Sequence, residues 1–174
     1  MEKIFYTDAN AYPNSETAVK NIFKRFFQLK NVTIERNENG KPFLCASKSR
    51  LFFSVSHTNG KLFIAVSDEN VGIDAESETR KTQYVSIVKK FPTEEQLEIS
   101  SSLDFLKHWT AKEATIKWLG GTISHDLSYL SYLNGNIVYK NAPLPIYVSF
   151  PSFENYIIAI CSERDFTNAE YIPF

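Results

Sequence analysis

The sequence predicts an α+β fold, and three features carry that expectation. Apolar residues repeat with helical spacing in two separate places. Short β-rich runs alternate with Asn-Gly turns. The strands cluster after a helix in each half of the chain, without the regular strand–helix alternation that a parallel sheet would require. With 174 residues, 43% of them hydrophobic and 14% aromatic, the chain has material for a substantial core.

Element by element, Lys3–Tyr6 reads as a strand, and Ser15 as the cap of a helix with Val19, Ile22, Phe23 and Phe26 on one face. Val32–Ile34 is strand-like and leads to a turn at Asn39-Gly40-Lys41-Pro42. The runs Leu51–Ser56 and Leu62–Val66 are expected to form a hairpin through His57-Thr58-Asn59-Gly60, with Val71–Glu76 a third strand closing this half. The second half opens with a helical stretch around Tyr84, Val85 and Val88. Thr93-Glu94-Glu95-Gln96 has the form of a capping box, and a longer helix is expected from Leu103 to Leu119, stopped by Gly120-Gly121. Strands follow at 129–133, 137–139, 146–150 and 156–161. Each half is therefore a helix-plus-antiparallel-strand unit, 1–76 and 77–174.

Charge and composition narrow the function. Charged residues make up 22% of the chain and the net charge is −1, so no global field would steer a nucleic acid. Cys45 and Cys161 lack metal-site spacing and read as reduced thiols. The amino terminus has no apolar stretch of the secretory type, and no run is long enough to span a bilayer. A cytoplasmic protein, acting without nucleic acid or membrane and as a monomer, is the expectation.

Three segments can carry chemistry. In Gly72-Ile73-Asp74-Ala75-Glu76 the two acids are i and i+2 on a strand, so both project from one face. Like charges so placed repel unless a cation lies between them, and a hard divalent ion would serve; taken alone, the pair reads first as a solvated acidic strand end. In Trp109-Thr110-Ala111-Lys112-Glu113-Ala114-Thr115-Ile116-Lys117, Glu113 and Lys117 continue the stripe begun by Leu106 and Trp109, where an apolar side chain would be ordinary. They also form an i, i+4 pair of the kind common on solvated helix faces. In Ser54-Val55-Ser56-His57-Thr58, with Lys41 upstream, a histidine and a lysine near strand-end amides can receive a phosphate, or be plain surface residues.

Taken in order, Gly40-Lys41-Pro42, Phe53-Ser54-Val55-Ser56-His57, Val71–Glu76 and Trp109–Lys117 resemble the G-K-P, S-H, G-I-D-x-E and W-x-x-K-E-x-x-x-K motifs of the Sfp-type 4′-phosphopantetheinyl transferases. The resemblance spans roughly residues 40–117. It implies a pseudo-twofold pair of lobes with coenzyme A in the cleft between them, and transfer of phosphopantetheine to a serine of an apo acyl or peptidyl carrier protein. It further implies that Asp74, Glu76 and Glu113 hold Mg²⁺, and that Lys41, Ser56 and His57 bind coenzyme A. Lys117 would stabilise the departing 3′,5′-ADP, with Lys112 and Lys20 as further ligand contacts. Glu113 or Glu95 would take the proton of the acceptor serine. Lys81, Lys89 and Lys90, near Val85 and Val88, are the expected landing surface for an acidic carrier helix. A non-catalytic module with the same fold, or a magnesium phosphohydrolase, would account for single motifs but not for their ordered set.

Overall fold

A computed structural model of the chain describes residues 1–45, 50–81 and 83–174. The α+β expectation holds. Strand β1 (Lys3–Asp8) leads into helix α1 (Ser15–Phe27), a β2 (Thr33–Arg36)–β3 (Pro42–Cys45) hairpin and the strands β4 (Phe52–Thr58), β5 (Lys61–Ser67) and β6 (Val71–Ser77). Short helices α2 (Val85–Val88) and α3 (Thr93–Leu97) precede the long α4 (Ser102–Leu119) and the single turn α5 (Ile123–Asp126). Strands β7 (Leu130–Leu133), β8 (Asn136–Tyr139), β9 (Ala142–Pro143), β10 (Tyr147–Ser149), β11 (Tyr156–Ser162) and β12 (Glu170–Pro173) complete the chain. No helix among the described residues is long and apolar enough to cross a membrane.

Period-two alternation builds the layers. One sheet has the order β12-β1-β5-β4. Its Phe5, Phe53, Leu62, Ile64 and Val66 pack against Ala18, Val19, Ile22 and Phe23 of α1. From the opposite face, Ile4, Phe63 and Ala65 meet Ile73, Ala75, Ile158 and Ile160 of a second sheet, β10-β11-β6. The residues between those on the second sheet, Ala159 and Cys161 among them, turn outward against Ala114 of α4. Because Ile73 and Ala75 face the inter-sheet core, Gly72, Asp74 and Glu76 must face the other way, toward α4.

Several local expectations need correction. Asn14, not Ser15, caps α1: its Oδ1 accepts from the Thr17 amide at 2.8 Å. His57 and Thr58 belong to β4, and the hairpin turns on Asn59 (φ 41°) and Gly60 (φ 81°) alone, as a tight Asn-Gly turn prefers. The capping box does not form, because α3 starts at Thr93 behind Pro92 and has no side-chain cap. The third strand expected from the sequence forms as β6. It pairs antiparallel with β11, while β12 returns to lie parallel to β1, so backbone pairing crosses residue 76 in both directions.

Gly72 is the contact point between β6 and α4. A Cβ at this position would lie 2.0 Å from the Ala114 carbonyl oxygen and 2.6 Å from the Trp118 amide nitrogen, both backbone atoms that cannot step aside. Gly72→Ala is expected to cost at least about 3 kcal/mol of stability, the severe end of overpacking. Urea denaturation measures this, and a smaller loss would mean that α4 can lift away from the strand.

Candidate active site

The two stripes anticipated from sequence meet on the outer face of β6. Lys117 on α4 donates to Asp74 Oδ1 at 2.8 Å and to the Ile73 carbonyl at 2.9 Å. Asp74 is only 4% exposed. Its second oxygen, Oδ2, is buried without a hydrogen-bond partner, an arrangement rare for a buried polar atom. Glu113, one helical turn before Lys117, lies close enough for Asp74 to raise its proton affinity. Burial first and the Asp74 charge second push the Glu113 carboxyl up to about 7, opposed by Lys117, Arg80 and the Trp109 side chain. Glu76 is held at the strand end by Arg80 and by the Thr58 hydroxyl at 3.3 Å.

A seam of hydroxyl groups joins β4 to β6. Ser54 Oγ accepts from the Ile73 amide and Ser56 Oγ from the Ala75 amide, each at 3.1 Å. Ser56 also donates to Asp74 Oδ1 at 2.9 Å. Residues 54, 56 and 58 share one face of β4, so the alternation Ser-x-Ser-x-Thr places three hydroxyls against the open edge of β6. Ser56 thus touches the acidic group itself.

Beside this group lies a cavity of about 290 Å³, lined among others by Arg36, Lys41, Ser54, His57 and Lys117. Burial first and the Lys117 charge second hold the His57 imidazole below its ordinary value. Lys41 donates to Asn70 Oδ1 at 2.8 Å and to the Trp118 carbonyl at 3.2 Å, at the carbonyl end of α4 where a cation is favoured. Burial pulls Lys41 down to about 8. Asn37 and Asn39 of the same turn donate to the Gly120 carbonyl, which ties the Gly40-Lys41-Pro42 segment to the end of α4. Arg36 was missed in the sequence; the register Arg36↔Pro42 places it across the hairpin from the Lys41 segment.

Three predicted residues are not brought to this group. Lys20 pairs with Glu16 on α1 at 2.6 Å and does not line the cavity. Lys112 and Glu95 are both fully buried and paired with each other at 2.7 Å. Glu95 Oε1 also lies 3.1 Å from His108 Nδ1, and the Lys112 ammonium sits 3.6 Å from the Phe91 ring centre. Glu95 and Lys112 are thus engaged with each other in the interior, and neither lines the cavity. The sequence held a signal for this: Phe105, His108 and Lys112 fall at i, i+3 and i+7, a buried stripe on which a charged residue must find a partner. As they stand, no group of three His, Cys, Asp or Glu side chains among the described residues forms a metal-binding arrangement. The acids fit a divalent ion in other respects: a buried carboxylate oxygen has no partner, and Glu113 is destabilised as an anion by its acidic neighbour.

An acidic pair on β6 and α4 therefore adjoins a cavity lined by Arg36, Lys41, His57 and Lys117, side chains that can receive an anion such as phosphate. Comparison with known proteins narrows this. The profile of the 4′-phosphopantetheinyl transferase superfamily matches residues 70–161, more than half of the chain. The chain belongs to that superfamily. It is 28% identical over 149 residues to "4'-phosphopantetheinyl transferase gsp" of Aneurinibacillus migulanus, covering 76% of this chain and 59% of that protein. It is 27% identical over 158 residues to "Putative 4'-phosphopantetheinyl transferase slr0495" of Synechocystis sp., covering 77% of this chain and 64% of that protein. The matches thus span less than two thirds of either relative's length.

The raised proton affinity of Glu113 has a signed consequence. The folded chain holds this proton up to about pH 7, whereas the unfolded chain releases it near 4.5, so folding takes up a proton in between. The Glu113 contribution to stability is therefore lost as pH rises from 4.5 to about 7. With metal removed by a chelator, Glu113→Gln is expected to gain stability over wild type as pH passes about 7, and to lose that advantage in acid. Denaturant midpoints of both proteins across this range test it; parallel profiles would refute it.

Proposed function

We propose that the chain transfers the 4′-phosphopantetheine group of coenzyme A to a serine of an apo acyl or peptidyl carrier protein, releasing 3′,5′-ADP. Superfamily membership supports the reaction class. The observation that supports this chain as an active member is the meeting of Asp74, Glu113 and Lys117 beside the cavity lined by Arg36, Lys41 and His57. On this reading the halves 1–76 and 77–174 are related lobes. Coenzyme A lies between them, with its phosphates toward Lys41, His57, Lys117 and Arg36.

In the reaction the serine oxygen forms a bond to the β-phosphorus of coenzyme A while the pyrophosphate P–O bond breaks toward the nucleotide. The serine proton goes to a base, and the departing phosphate gains negative charge. Glu113 is the proposed base, in preference to Glu95, which is buried and paired with Lys112. Lys117, fixed by Asp74 and the Ile73 carbonyl, presents a cation beside the breaking bond. Asp74, Glu76 and Glu113 would hold Mg²⁺, which when bound supplies positive charge to the pyrophosphate oxygens. Ser56 orients Asp74 through its hydroxyl. Lys81, Lys89 and Lys90 remain the proposed docking cations for the carrier.

Incubation with coenzyme A, Mg²⁺ and an apo carrier protein, followed by mass spectrometry of the carrier, tests the proposal. The carrier should gain one phosphopantetheine, and chelation should stop the gain. Asp74→Ala and Glu113→Ala should each slow transfer by about 100-fold or more, the usual scale for losing a charge-stabilising group. A carrier mass that never rises, or free phosphate released without any acceptor, would refute the transferase reading.

A further inference from the structure

Among the described residues, Arg80 is the one cation paired with the acidic group that no motif anticipates. It stands four residues beyond Glu76, past the end of β6, and its guanidinium pairs with Glu76 Oε1. The other Glu76 oxygen receives the Thr58 hydroxyl, so Glu76 is committed on both oxygens. The Arg80 charge also reaches Glu113, where it opposes the Asp74 charge. Asp74 has its own cation in Lys117. The three acids are thus served by two cations from different supports.

Those supports differ in kind. Lys117 rises from an 18-residue helix packed on β6, and its side chain is 31% exposed. Arg80 sits in the turn after β6, where its amide bonds the Ser77 carbonyl at 3.0 Å, and its side chain is 44% exposed against 13% for Glu76. It borders an open cavity of about 370 Å³ formed with His57, Thr58, Asn59, Glu76, Ser77 and Thr79. An arginine so placed neutralises its carboxylate from the solvent side and can leave without disturbing the core.

We propose that Arg80 is a displaceable internal counter-ion that occupies Glu76 until a divalent metal arrives and thereby sets the metal affinity of the site. The inference rests on the metal role assigned above to Asp74, Glu76 and Glu113. With Arg80 already on Glu76, an incoming metal ion competes with the guanidinium for the same carboxylate charge and repels it, so metal binding weakens or displaces the Glu76–Arg80 pair. Metal affinity is then reduced by the strength of that pair, and the same reciprocity makes bound metal release Arg80. The pair also offsets the mutual repulsion of three acids in the metal-free chain.

Calorimetric titration of the full chain with MgCl₂, in the absence of coenzyme A, tests this directly. Arg80→Ala and Arg80→Gln should bind Mg²⁺ tighter than wild type, by up to roughly fivefold, the range for breaking a partly exposed ion pair. In the presence of a chelator both variants should melt below wild type, and saturating Mg²⁺ should close that gap. Equal or weaker Mg²⁺ binding by both variants overturns the proposal while leaving the metal role of the acids standing. Asp74→Asn separates the two: if wild type shows no Mg²⁺ binding that Asp74→Asn removes, the metal reading fails and this inference falls with it.

Discussion

The close approach of α4 to β6 governs this molecule. An α-helix and a strand pack with their backbones well apart when ordinary side chains stand between them. Here Gly72 removes the side chain at the crossing, and the Ala114 carbonyl and Trp118 amide come within the space a Cβ would need. Two periodicities then meet in register. The period of two along β6 turns Asp74 and Glu76 toward the helix, and the helical repeat turns Glu113 and Lys117 toward the strand. The short link between Lys117 and Asp74 follows from this spacing. A helix standing further off would leave both acids on β6 facing water, with no reason for a carboxylate to resist ionisation.

The second constraint is the seam between β4 and β6. These strands lie side by side, yet each finds its backbone partner elsewhere, β4 with β5 and β6 with β11. The open amides of Ile73 and Ala75 are satisfied by serine hydroxyls instead. An amide left bare in so buried a place would cost about 1–3 kcal/mol, so the hydroxyls matter to the fold. They also matter to the site, because the hydroxyl that satisfies Ala75 bonds Asp74 as well. The fold leaves one Asp74 oxygen without a partner and a glutamate that ionises only near neutrality. A chain under selection for stability alone would not retain such groups; they mark where local structure has yielded to chemistry.

Much of this was legible in the sequence because it depends on local periodicity. The amphipathic face of α1, the stop of α4 at Gly120 and the Asn-Gly turns follow from neighbours a few residues apart. The positive φ values at Asn134 and Gly135 are what such a turn requires. The motifs that resemble the transferase family pointed to Asp74, Glu113 and Lys117 before any geometry was known. What could not be read is non-local. An apolar run such as Val71–Ile73 announces a strand but not its partner, and the partner proved to be β11, more than 80 residues on. The β12 strand was missed because Glu170–Pro173 is short, with apolar content confined to Tyr171 and Ile172. Glu95 sat in a sequence pattern that suits a helix cap, and only the approach of α4 shows that Lys112 and His108 claim it. Arg80 carried no motif at all. Its role depends on the turn after β6 folding back over Glu76.

On the proposed function, Asp74, Glu76 and Glu113 converge on one divalent ion once Arg80 turns aside from Glu76. A crystal grown with Mn²⁺ and coenzyme A, with diffraction recorded near the manganese edge, addresses it most directly. The account predicts a single strong anomalous peak bounded by the three carboxylates, with Arg80 turned away from Glu76. A peak remote from Glu113, or no peak on these acids at full occupancy of the coenzyme, would contradict it.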